Sequence, residues 1–160
     1  MGTVRLQRED FDAAAEQRRL CEARPDVGAI VTFTGICRGG EGADAISAMT
    51  LEHYPGMAED EIARHVAEAE ARWDLKGVTV IHRYGRLIPG ENIVLVATAS
   101  AHRADAFAAA EFLMDYLKTS APFWKNEERR EGGRWVEARS EDDAAAARWQ
   151  SPSRSREAAE

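Results

Sequence analysis

Lys118 and Lys125 stand seven residues apart in the stretch Met114-Asp115-Tyr116-Leu117-Lys118-Thr119-Ser120-Ala121-Pro122-Phe123-Trp124-Lys125. The pattern predicts a helix that ends on the first lysine, a break at Pro122, and a second lysine beside two aromatics. A lysine set against apolar surface loses part of its hydration, which suits it to act as an acid, a base or an anion-positioning group. Each also has a plainer role. Lys118 complements the negative end of a helix dipole, Lys125 guards a strand edge, and Phe123-Trp124 serves as core or as a pocket wall. Upstream, Ser100-Ala101-His102-Arg103 marks the start of the same helix. Free N–H groups and the positive dipole end attract anions there, yet a histidine and an arginine in that turn oppose the dipole. A bound phosphate would resolve that conflict, and so would an Arg103–Asp105 pair. Basic clusters at both ends of one helix point to an anionic ligand.

Other candidates are weaker taken singly. Arg38 opens the loop Arg38-Gly39-Gly40-Glu41-Gly42, either as an exposed strand-end residue or as a guanidinium fork for phosphate. The loop has neither dinucleotide-binding nor Walker A spacing. Cys37, beside Arg38, invites a nucleophile reading, but a packing cysteine at a strand end is the simpler one. His53, His65 and His82 lack metal-ligand spacing, and Glu61/His65 at i, i+4 reads as a solvated helical contact. No metal is expected.

A chain of 160 residues, 44% of them hydrophobic, is expected to form one domain with a real core. Its net charge of −7 argues against nucleic-acid or anionic-membrane binding, so an anion must be held by a local cationic pocket. The two cysteines have no CxxC spacing, and neither a signal pattern nor a membrane-length apolar run is seen. A reduced, cytoplasmic protein is expected.

These residues need a scaffold, and the hydrophobic periodicity supplies one. Strands are predicted at residues 3–7, 27–36, 45–54, 78–87 and 92–99, the last two joined by a hairpin-like turn at Ile88-Pro89-Gly90-Glu91. A helix capped by Asp10 runs to about residue 23. A second starts with Pro55 in its first turn and carries Ile62, Val66, Ala69 and Trp73 on one face. A third spans residues 102–119 and buries Phe107, Ala110, Met114 and Leu117. Residues 123–129 and 134–139 form a hairpin about Gly132-Gly133, and Ser140 caps a short helix to Trp149. Residues 1–149 form the domain, and 150–160 read as a disordered tail. Without strict βαβ alternation, the class is α+β with a mixed or antiparallel sheet and an additional C-terminal hairpin.

Val31-Thr32-Phe33-Thr34-Gly35 with Arg38, then Leu51-Glu52-His53-Tyr54-Pro55-Gly56-Met57, closely resembles the catalytic large subunit of molybdopterin synthase. So do Val80-Ile81-His82-Arg83, Pro89-Gly90-Glu91, Ser100-Ala101-His102-Arg103, the Met114-to-Lys125 stretch and Trp135-Val136-Glu137-Ala138-Arg139. The blocks run in order over residues 27–149. The resemblance implies an α/β hammerhead-type fold and a homodimer. Each subunit would bind a small ubiquitin-like sulfur carrier ending in a Gly-Gly thiocarboxylate, giving a heterotetramer. It further implies sulfur transfer to cyclic pyranopterin monophosphate (precursor Z), forming the dithiolene of molybdopterin without a cofactor of the enzyme's own. The matching pocket residues are Ile36, Cys37, Arg38, His102, Arg103, Lys118, Lys125, Asn126 and Glu127, with Arg139 a further candidate. Lys118 leads as catalytic residue and Lys125 supports it, while His102 and Arg103 would reach the pocket from the neighbouring subunit. Position 37 departs from the family pattern, so no thiol chemistry carries over to Cys37. A non-enzymatic module that binds a ubiquitin-like tail or a phosphate ligand is the competing expectation.

Overall fold

The computed structural model describes residues 2–129, 132–137 and 140–150. Along the chain run β1 (Thr3–Gln7), α1 (Ala13–Cys21), β2 (Ala29–Ile36), β3 (Ile46–His53), α2 (Met57–Arg72), β4 (Leu75–Arg83), β5 (Gly85–Leu87), β6 (Asn92–Ser100), α3 (Arg103–Thr119), β7 (Phe123–Arg129), β8 (Gly132–Val136) and α4 (Ser140–Ala147). Short 3-10 turns occupy Gly42–Asp44 and Arg148–Gln150. The architecture is α+β, with two four-stranded sheets ordered β1-β4-β6-β2 and β5-β3-β7-β8. Only β1 with β4 is parallel among the described pairs.

The Val-, Ile- and Ala-rich strands β4 and β6 can be central because helices cover both their faces. On one face, Val78, Val80, Val94 and Val96 meet Ile62, Val66 and Ala69 of α2 and Phe112, Leu113 and Tyr116 of α3. On the other, Ile81 and Leu95 pack with Phe11 ahead of α1. The α2 stripe read from sequence is the stripe that is buried.

Several local expectations change. The predicted strand at 78–87 is two strands, because Gly85 (φ +88°) lets the chain leave the first sheet after Arg83 and enter the second. The 88–91 turn therefore joins strands of different sheets instead of closing a hairpin. Asp12, not Asp10, caps α1 by accepting from Ala15 N at 3.0 Å, while Asp10 accepts from Asn92 Nδ2 at 2.9 Å. Pro55 precedes α2, whose N-cap is Gly56 (φ +85°). Phe107 is 62% exposed, since Ala106, Ala109, Ala110 and Leu113 form the buried stripe of α3. The C-terminal hairpin is present, but Gly132 and Gly133 pair within β8, opposite Arg129 and Glu128. Arg139 and the tail residues 151–160 lie outside the described residues.

Candidate functional site

The site begins where α3 ends. Ser120 N and Ala121 N both donate to the Tyr116 carbonyl, at 2.9 and 3.3 Å, closing the helix just after Lys118. Four residues after α3, the chain re-enters as β7 at Phe123. The Phe123 ring stacks on His82, the penultimate residue of β4, with centroids 4.0 Å apart and planes 15° off parallel. His53, the last residue of β3, approaches Phe123 at 6.0 Å and Tyr84 at 4.5 Å. His82 is 7% exposed, and burial depresses its pKa to about 4, with the nearby charges of Lys118 and His53 acting in the same direction. Its Nδ1 lies 2.8 Å from the Arg83 carbonyl oxygen. A carbonyl can only accept, so the neutral ring carries its proton on Nδ1. Lys118 is itself exposed.

Strand alternation in β7 places Lys125, Glu127 and Arg129 on one face and Asn126 on the other. The first three form a charged row. Glu127 lies 3.4 Å from Lys125 Nζ and 2.7 Å from Arg129 Nη2, and Arg129 reaches Asp44 at 3.2 Å. Burial pushes the Glu127 carboxyl up, but the Arg129 hydrogen bond and the Lys125 charge outweigh it and hold the pKa below the usual range. The second lysine is thus held on a buried carboxylate.

The segment Ile36-Cys37-Arg38 comes to this row. Cys37 N donates to Glu91 O and Cys37 O accepts from Gly90 N, both at 2.8 Å, which ties the segment to the 88–91 turn. The Cys37 side chain packs with Met49, Leu51 and Leu87 and feels the charges of Lys125, Glu91 and Glu127. Burial pushes its thiol pKa up, the opposite of what a nucleophile needs. Ile36 and Arg38 on either side of it are exposed.

His102 and Arg103 are not part of this gathering. They flank a hollow of about 490 Å³ with Gly28, Ala29, Ala101 and Ala104, and both are exposed. Helical rise puts them roughly 22 Å along α3 from Lys118. Two of the basic clusters thus lie apart, at opposite ends of α3. Among the described residues no group of three or more His, Cys, Asp or Glu is placed to hold a metal ion. Among the described residues no helix is long and apolar enough to cross a membrane.

The family model for the MoaE protein matches residues 6–120. The chain belongs to the MoaE family. A curated relative from Mesorhizobium japonicum, named molybdopterin synthase catalytic subunit, is 62% identical over 153 residues, spanning 94% of this chain and 95% of its own. The solved MoaE protein of Burkholderia ambifaria superposes with a TM-score of 0.80 at 51% identity, covering 94% of this chain and 99% of that one. A complex of subunits 1 and 2 of a molybdopterin-converting factor from Helicobacter pylori shares the fold at 18% identity, with a TM-score of 0.68 over 87% of this chain and 92% of that one.

Within this MoaE-family chain, reasoning from residue types passed over His82, weighing it only as a metal ligand. The available signal was a histidine directly after the strand-forming run Val78-Thr79-Val80-Ile81, where a buried polar ring must find a partner. Arg129 and Asp44, which complete the Glu127 row, carried no comparable signal, because they meet only through the β3–β7 pairing.

Proposed function

We propose that this chain is the catalytic subunit of a cytoplasmic molybdopterin synthase. It takes sulfur from a thiocarboxylated ubiquitin-like carrier and installs it on cyclic pyranopterin monophosphate, forming the dithiolene. The observation that carries the proposal is the near end-to-end likeness to a relative named as that subunit, a name that also implies a partner subunit. The geometry supports it. Lys118 and Lys125 flank one short connection, next to a backbone segment held by the 88–91 turn, and neither a metal nor a thiolate is required. The ammonium groups are suited to neutralise the carrier thiocarboxylate as its sulfur bonds to a substrate carbon and an oxygen substituent leaves, and then to stabilise the oxyanion as the acyl–sulfur bond is hydrolysed. Water then leaves the carrier as a carboxylate and the sulfur on the substrate, so two carriers serve each product.

Arg38, His102 and Arg103 are assigned to the substrate phosphate, with Ile36, Cys37, Glu127 and Arg139 completing the pocket and Asn126 left on the opposite face of β7. The separation of the α3 ends fits a homodimer in which His102 and Arg103 serve the neighbouring copy, and two carriers make it a heterotetramer. Purified protein mixed with thiocarboxylated carrier and precursor Z should yield the dithiolene product. A complex without product would favour a binding module. Light scattering should give a dimer at micromolar concentration, and a fully active monomer would refute the shared site.

A further inference from the structure

We propose that His82 is a positioning residue for the two lysines, clamping the α3–β7 connection through its stack on Phe123. This rests on the sulfur-transfer reading and extends it to a residue assigned no part in that reaction. Lys118 is the penultimate residue of α3 and Lys125 the third of β7, so their relative placement is set by residues 119–124 between them. Phe123 is the point of that connection gripped by the sheets. His82 lies against its ring from β4, His53 approaches it from β3, and Phe123 N donates to Ala121 O at 2.8 Å.

The ring at position 82 has three properties suited to the task. It is flat and stacks on Phe123. Its Nδ1–H bond to the Arg83 carbonyl sets its rotation. It is uncharged while facing Lys118 from α3 and His53 from β3, the charged and titratable groups that bear on it, so it adds no repulsion beside the lysine. A histidine that only filled the core would not need to sit under the segment joining the two candidate catalytic groups.

The test is steady-state sulfur transfer, with thiocarboxylated carrier and precursor Z, by His82→Ala, His82→Phe and Phe123→Leu proteins whose melting curves show them folded. His82→Ala should lower kcat roughly tenfold or more with KM for both substrates within about twofold, because a loosened connection misplaces the reacting groups without removing a binding contact. His82→Phe, which keeps the stack, should recover kcat to within about threefold of wild type. Should His82→Ala not fold, Phe123→Leu should show the same fall in kcat at unchanged KM. Wild-type kcat in folded His82→Ala or Phe123→Leu protein overturns the inference, as does a fall that His82→Phe does not relieve or that KM shares equally. Lys118→Ala in the same assay separates the two levels. If it is fully active, the reading of the lysine fails. If it is inactive while the His82 and Phe123 variants run at wild-type rate, only the clamp fails.

Discussion

At the C-terminal end of α3, Lys118 stands beside a buried neutral histidine, and the chain returns within four residues to Lys125 on its buried carboxylate. At the N-terminal end, His102 and Arg103 are exposed around a shallow hollow whose other lining residues are glycine and alanine. One end is finished by its own chain. The other offers an exposed arginine and histidine with little built around them. Burial separates the two. Side chains that orient a reacting group must be fixed, and fixing them requires packing, whereas an arginine that meets phosphate needs only reach and charge.

The largest effect should fall on the finished end. Lys118→Ala is expected to slow single-turnover sulfur transfer roughly a hundredfold or more while leaving the melting curve near wild type, and Lys118→Arg to recover only part of the rate. Near wild-type turnover in Lys118→Ala would remove the contrast and pass the leading role to Lys125.

Acid stability probes the same end without substrate. His82 takes up a proton near pH 6.5 when unfolded but only at about 4 when folded. The unfolded state therefore binds more protons in between. Stability from this group is complete above pH 6.5, falls as pH drops toward 4 and is flat below, amounting to about 3 kcal/mol at most. Denaturant midpoints measured across pH should show this loss in the wild type and a smaller one in His82→Phe.

At the exposed end, Arg103→Ala should weaken precursor binding by about ten- to a hundredfold with carrier binding unchanged, and Arg38→Ala, beside the Lys125 row, should do the same. Unchanged precursor affinity in titrations of the folded variants would withdraw the phosphate assignment. Mixing sharpens the point. If each site draws Lys118 from one copy and Arg103 from the other, random exchange of Lys118→Ala with Arg103→Ala chains rebuilds one site in each mixed dimer, about a quarter of wild-type activity. Sites contained in one chain would gain nothing on mixing, both measurements being made with precursor well below its Kd, where Arg103→Ala sites run at a few per cent or less.

The smallest effect is expected at the charged row of β7. Glu127→Gln keeps the shape but removes the charge that Lys125 and Arg129 share. A loss of about 1–2 kcal/mol in unfolding free energy should follow, with Arg129 still held by Asp44. A stability unchanged in urea titrations would mean that the row is not anchored on Glu127.

The sequence by itself determined the α+β class, the core stripe of α2, both ends of α3 and the strand that begins at Phe123. All are local patterns of periodicity and proline breaks, and such patterns are carried by neighbouring residues. The ordered motif blocks also pointed to the family. Only the tertiary structure decided that residues 78–87 split between two sheets at Gly85, because a single positive φ changes where every later residue goes. It likewise decided that Phe107 is exposed, since which stripe of α3 faces the sheet depends on how β6 and β2 lie beneath it. Asn126 reads in sequence as a member of the Lys125 cluster, yet alternation in a paired strand turns it to the opposite face. His82 meets Phe123 across 41 residues of chain, and Glu127 belongs to a row that closes on Asp44. Contacts of that separation leave no local mark, because they are made by sheet pairing and the packing of one element on another.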